Sequence, residues 1–145
     1  MFRKLVIEAA KRFSPFAEYD FAVHEIHHAG KQDSPSGTAR LLGEDLLQHL
    51  PGKSRLLLGN STGKIQPDQL QITSGRLGTI FGLHQVWIDH PDETIQLIHQ
   101  VKSRMVFARG ALQAAQWLPG RTGFFTFDDF LNDFINQAER RGHGK

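Results

Sequence analysis

"YDFAVHEIHHAGKQDSPSGTARLLGEDLLQHLPG", residues 19–52, passes from one periodicity to another within a single stretch. Residues 19–28 alternate as a half-buried strand does, with Phe21, Val23 and Ile26 among polar neighbours. Ala29-Gly30 opens a polar loop. From Thr38 onward, Ala39, Leu42, Leu46, Leu47 and Leu50 recur at helical spacing until Pro51-Gly52 stops them. A strand delivering a helix through a loop dense in His, Lys, Asp and Ser predicts that the chemistry of the chain lies at this junction.

Outward from it, Phe2, Leu5, Val6, Ala9, Ala10 and Phe13 form an apolar stripe opposite Arg3, Lys4, Glu8, Lys11 and Arg12. This amphipathic helix has no capping residue before it, as expected of a chain cut from a longer one. Ser14-Pro15 breaks it. "SRLLLGNSTGKIQPDQ" reads as a long loop from its Gly, Asn, Ser and Pro content. "LQITSGRLGTIFGLHQVWIDH" reads as a strand, a glycine-bearing turn and a strand, and "ETIQLIHQV" as the next strand. "SRMVFARGALQAAQWL" is helical, with Met105, Ala108, Leu112 and Ala115 on one stripe. "FFTF" is short and extended, and Asp128 or Asp129 caps a last helix through Phe130, Leu131, Phe134 and Ile135.

The order predicts an α+β fold, with a mixed, mostly antiparallel sheet arranged as a meander and helices on one face. In "TIFGLHQVWI", Ile80, Val86 and Ile88 point one way and Phe81, Leu83 and Trp87 the other. Both faces of that strand are apolar. Helices cover one, and a second subunit is the expected cover of the other, with a loop or terminus of the same chain as the alternative.

Composition narrows the function classes. The chain has 145 residues, enough for one core and short for two domains. No apolar run is long enough to span a membrane. There is no cysteine, hence no disulfide framework and no thiolate metal site, which fits a cytoplasmic setting. The net charge of +2 comes from scattered basic residues, apart from the tail "ERRGHGK", so no nucleic-acid footprint stands out. A small anion suits such a balance.

In "PSGTA", Ser36 is an N-cap and Thr38 opens the helix. The first turn carries backbone N–H groups without internal partners and a partial positive charge, and Gly37 presents no side chain to block an approaching anion. Together they make a seat for a carboxylate or phosphate, although such caps occur widely with nothing bound. Lys31, on the loop leading in, reaches the same anion or gives up a proton. His27 and His28 end the strand. Adjacent strand residues point to opposite faces, so the pair does not readily chelate one ion, and no metal is expected. One histidine orienting a ligand while the other moves a proton is the reading their placement suggests; two structural histidines are the alternative. Asp33 is most simply a turn former before Ser34-Pro35, with a hold on Lys31 as its other role. "GRLGTIFG" lies within a strand-turn-strand pattern, so the chain has no dinucleotide fingerprint of its own.

"EIHHAGKQDSPSGTA", residues 25–39, closely resembles the signature of the dihydrodipicolinate reductase family, E-x-H-H-x-x-K-x-D-x-P-S-G-T-A. The likeness continues through "SGRLGTIFGLHQV" and "SRMVFARGALQAAQWL". The resemblance implies an enzyme, 4-hydroxy-tetrahydrodipicolinate reductase, that reduces a cyclic dicarboxylate with NADPH or NADH on the route to diaminopimelate and lysine. It implies that residues 1–145 are the C-terminal substrate-binding and tetramerisation domain, with the N-terminal Rossmann domain absent from this chain. His27 then matches the family's acid/base and Lys31 its proton donor. His28, Gly37 and Thr38 match substrate-binding positions, to which Ser36 and Arg104 are added as neighbours. One departure is Gly82-Leu83-His84, where the family often has Gly-Glu-His; it leaves the role of His84 open. A non-catalytic domain that binds a dicarboxylate or assembles subunits is the alternative.

Overall fold

A computed structural model of the chain describes residues 1–142, so residues 143–145 of the basic tail lie outside the described residues. The chain divides into two compact units, Met1–Lys102 and Ser103–Lys145. The first contains α1 (Phe2–Phe13), β1 (Asp20–His27), α2 (Gly37–His49), β2 (Arg55–Leu58), β3 (Gln69–Arg76), β4 (Leu83–His90) and β5 (Glu93–Gln100). The second contains α3 (Met105–Trp117) and α4 (Phe127–Gly142).

The α+β class holds, with one five-stranded mixed sheet in the order β2-β3-β1-β4-β5. The sheet is not a meander. β3 and β4 are consecutive in sequence, yet β1 lies between them, parallel to β3 and antiparallel to β4. The turn joining them passes over the end of β1: Leu77 N–H donates to His27 O at 2.8 Å, and Ala29 N–H donates to Gly78 O at 3.0 Å. Two of the four pairings are therefore parallel, β1 with β3 and β2 with β3. The stretch expected to be a long loop supplies edge strand β2, because Leu56 has a core to pack against.

Period-two alternation builds the core. Phe21 and Val23 of β1, Leu70 and Ile72 of β3, and Val86 and Ile88 of β4 are buried on the face that α2 covers. Ala39, Leu42 and Leu46 of α2 meet them with no exposed surface, and Val6 and Ala10 of α1 join the same cluster. Each such aliphatic side chain contributes roughly 1.5–3 kcal/mol by leaving water. Arg3 makes a two-pronged ion pair with buried Asp45, one prong at 2.8 Å, which ties α1 to α2. On the opposite face, Ile98 is 53% exposed, and Leu83 and Trp87 are half-buried.

In the second unit, Trp117 Nε1–H donates to Asp133 at 2.7 Å, and the Arg121 guanidinium lies 4.0 Å from the Trp117 ring while bonding the same carboxylate. The stripe read on α3 is exposed at Met105 and Leu112. The start of α4 differs from the expectation. Thr126 takes the Asp129 N–H on its hydroxyl, while the Asp129 carboxylate accepts the Thr126 N–H at 2.7 Å, which is a reciprocal capping box. Phe127, expected to be extended, opens that helix. No described helix is long and apolar enough to cross a membrane.

Leu46 is fully enclosed between α2 and the sheet, so Leu46→Ala is expected to lower stability by about 2–5 kcal/mol. Urea denaturation should show this as a lower midpoint with an unchanged slope; a loss below ~1 kcal/mol would mean the packing here is loose.

Candidate functional site

Core alternation continues past the apolar residues to the carboxyl end of β1. Two residues on from Val23 comes Glu25, and two further comes His27, both facing the helices and both buried. The register completes the group. Glu25 stands opposite His84 of β4 on one side and Ser74 of β3 on the other, and His27 stands beside Arg76. A core-facing row that is apolar at one end of the sheet is thus polar at the end where α2 begins.

The Glu25 carboxylate has no exposed surface. Its Oε1 accepts the Ser36 backbone N–H at 2.9 Å, the Ser74 hydroxyl at 2.9 Å and an Arg76 N–H at 3.3 Å. Its Oε2 accepts no hydrogen bond, and it lies 3.1 Å from His27 Nδ1 and 3.7 Å from His84 Nε2. The contact with His27 has the distance of a hydrogen bond without its angle, so His27 Nδ1 is buried and unpartnered too. Burial alone would raise the Glu25 pKa; hydrogen bonds from Ser36 and Ser74 and the nearby His27 outweigh it and hold the carboxyl below its ordinary value.

The two imidazoles meet edge to face, with centroids 5.2 Å apart. His84 Nε2 lies 3.3 Å from the Ser36 hydroxyl, and its Nδ1 is buried without a partner. Burial first, and then the neighbouring His27, push its pKa down to about 4. His27 is lowered as well, by burial and by the charges of Lys31 and Arg76, against the opposing pull of Glu25. At neutral pH the cluster is one carboxylate facing two neutral imidazoles. The far edge of the His27 ring faces Gly82, where a Cβ would stand 3.0 Å from Nε2. Glycine at that position leaves room for the ring.

Ser36 connects this cluster to the helix. It is the N-cap of α2, and its hydroxyl accepts the Ala39 N–H at 3.2 Å. Gly37 and Thr38 follow as exposed residues of the first turn, and a Cβ at Gly37 would meet nothing within 4 Å. The amide-bearing helix start is therefore open to an incoming anion. Lys31 donates to Asp33 at 2.6 Å, which holds the Asp33 carboxyl below its usual range. An Arg76 N–H donates to Asp33 O at 2.5 Å, so the Lys31 loop is strapped to the residue that also holds Glu25.

Among the residues singled out by sequence, the structure groups His27 and Ser36, with Gly37 and Thr38 continuing from Ser36 and Lys31 acting on His27 through its charge. His28 follows the end of β1 and lies against Gly30, apart from the buried cluster. Arg104 belongs to the second unit, immediately before α3. Sequence reasoning assigned no role to Glu25, Ser74 or Arg76 and left His84 open. Glu25 carried a readable signal: a carboxylate at a core-facing position two residues beyond Val23. Ser74, Arg76 and His84 become visible only with the strand order. Glu25, His27 and His84 also offer ligand atoms within 4.8 Å of one another, a grouping that adjacent His27 and His28 could not form. A hollow of about 550 Å³ lies elsewhere, against Phe13, Tyr19, Leu50 and Ile65. Its cation, Lys53, is already bonded to Pro67 O, Gln69 O and Asp20.

Residues 1–131 match the protein family described as dihydrodipicolinate reductase, C-terminus. A 4-hydroxy-tetrahydrodipicolinate reductase of Caldanaerobacter subterraneus subsp. tengcongensis is 40% identical over 130 residues, covering 88% of this chain and 51% of that protein. One from Methylocella silvestris is 37% identical over 132 residues, covering 88% and 48%. The chain thus spans about half the length of the curated relatives it matches. A solved dihydrodipicolinate reductase with dipicolinate bound, from Paenisporosarcina sp. TG-14, shares the fold with a TM-score of 0.58 at 22% identity, over 77% of this chain and 43% of that one.

The pH dependence of stability follows from His84. Its folded pKa, about 4, lies below the ordinary 6.5, so the unfolded chain takes up that proton first. Stability is full above pH 6.5 and is lost as pH falls towards 4, by ~3 kcal/mol at most. The depressed Glu25 carboxyl acts in the same direction at lower pH. Denaturation between pH 7 and 4 should show the fall, and His84→Gln should flatten it; an equally steep fall in that variant would place the proton elsewhere.

Proposed function

The chain belongs to the dihydrodipicolinate reductase C-terminal family, and from that premise we propose that it is the substrate-binding and subunit-assembly domain of a 4-hydroxy-tetrahydrodipicolinate reductase, an NAD(P)H-dependent oxidoreductase of lysine biosynthesis. The substrate is a cyclic dicarboxylate. The observation that carries the reading is the placement of a carboxylate-backed imidazole, His27, beside an open helix start. Ser36 belongs to both, through its N–H to Glu25 and its cap on α2.

The parts divide the work as follows. Exposed amides at Gly37 and Thr38, with the partial positive charge of α2 behind them, seat one substrate carboxylate. Lys31, 22% exposed, adds a cationic donor and supplies a proton to the reduced substrate. His27 holds or moves a proton at the ring edge facing Gly82. His28 is a secondary substrate contact in this proposal.

The residues described here do not fit a dinucleotide. β1 leads into α2 through the Lys31 loop, without the glycine turn that lets a pyrophosphate approach a helix. NADPH or NADH is therefore assigned to a Rossmann domain outside residues 1–145. The chemistry such a cofactor would supply is hydride transfer, and this chain's residues would bind the substrate, orient it and manage its proton. The half-buried apolar face of the sheet, with Trp87, Leu83 and Ile98, is assigned to contacts between subunits of a cytoplasmic homotetramer.

Isothermal titration of this chain with dipicolinate should show binding, and Lys31→Ala should weaken it by roughly tenfold or more. In the full-length reductase the same change should reduce turnover by about 10²–10⁴-fold with an unaltered circular dichroism spectrum. Near wild-type turnover in the Lys31→Ala enzyme would argue against a chemical role for Lys31 and favour the non-catalytic alternative.

A further inference from the structure

We propose that Glu25 is a positioning residue: its Oε2 faces His27 Nδ1 and fixes which ring nitrogen carries the proton, while its Oε1 holds Ser36 and so anchors the start of α2 against the same ring. The inference rests on the reading of His27 as the proton-handling side chain, and it adds a residue to which the family signature alone gives no function.

The uneven use of the two oxygens is the argument. Oε1 accepts from a backbone amide, a hydroxyl and a guanidinium, whereas Oε2, equally buried, accepts from none. A carboxylate buried only to hold structure would have both oxygens satisfied, because a bare buried acceptor costs free energy. What faces Oε2 is His27 Nδ1, at 3.1 Å. A lone pair on Nδ1 would oppose the anion, whereas a proton there is attracted to it even without the angle of a hydrogen bond. The favoured neutral form is thus Nδ1–H, which leaves the Nε2 lone pair at the ring edge facing Gly82. When Nε2 takes a proton the ring becomes a cation directly against Oε2. When it releases that proton the ring returns to Nδ1–H. Nothing else is transferred.

The other charged and titratable groups around the ring cannot take this part. Arg76 of β3, and Lys31 of the loop, disfavour a charged His27, and His84 of β4 is itself held neutral. Asp33 favours the charged form, but its carboxylate is engaged by Lys31. Among the described residues, Glu25 is the one that puts an unpartnered oxygen against Nδ1.

Nitrogen-15 NMR of the histidine rings in this chain tests the idea without requiring turnover. Wild-type His27 should be the Nδ1–H tautomer above its titration midpoint. Glu25→Gln keeps an acceptor for Ser36 and puts an amide where Oε2 was; it should convert His27 to Nε2–H and lower its midpoint by roughly one pH unit or more. A purely structural role for Glu25 would change stability and leave the tautomer alone. An Nε2–H tautomer in the wild type overturns the proposal with no variant needed, as does an unchanged tautomer in a folded Glu25→Gln chain. Dipicolinate titration distinguishes the failures: absent binding by the wild type counts against the functional reading, whereas the ring spectra alone decide the role of Glu25.

Discussion

A single carboxylate without access to water joins everything that gives this chain its chemistry. Taking Glu25 out of solvent carries an effective penalty of several kcal/mol. A backbone amide, a hydroxyl and a guanidinium offset it through charge-assisted hydrogen bonds. Each donor comes from a different part of the chain: Ser36 from the entry of α2, Ser74 from the body of β3 and Arg76 from its end. Packing of the apolar core would tolerate several arrangements of these segments. Satisfying Glu25 tolerates few, because all three donors must converge on one oxygen.

The same arrangement sets the electrostatics. Burial keeps His27 and His84 from charging, and the hydrogen bonds keep Glu25 ionised. The Glu25 charge is thus held in the interior, while the Lys31–Asp33 pair and the positive end of α2 lie towards solvent. Under the proposed function, a dicarboxylate would meet Lys31 and the start of α2 first, and the buried anion only behind a neutral ring. Arg76 serves both regions, since it bonds Glu25 within and the Asp33 carbonyl on the Lys31 loop without.

Much of this was legible in the residues. Spacing alone located β1, α2 and the helix start at Ser36, because periodicity and capping are local properties. The signature in residues 25–39 pointed to the family to which the chain belongs. The order of strands was not legible. β3 and β4 have the look of a hairpin, and only the bonds from Leu77 to His27 and from Ala29 to Gly78 carry the turn across β1. With that crossing unseen, Ser74, Arg76 and His84 could not be brought to Glu25, since each is a long-range neighbour. Strand β2 was hidden for the opposite reason: "RLLL" is too short to show a period, and its pairing with β3 supplies what its own pattern lacks.

The placement of β1 between two later strands also bears on how the domain is made. As the chain grows from its amino end, α1, β1 and α2 are complete while both sheet neighbours of β1 are still to come: Asp20 waits for Asp89, and Ile26 for Gly75 and Leu83. The central strand precedes both of its neighbours in the chain, and it stays unpaired until β3 and β4 arrive. Closing such distant pairings pays loop entropy before contacts reward it, which slows assembly. During that interval α2 is the natural shelter for the apolar side of β1, through Ala39, Leu42 and Leu46. The helix whose first turn stands open in the finished domain is therefore well placed, during synthesis, to shield the strand that carries Glu25 and His27.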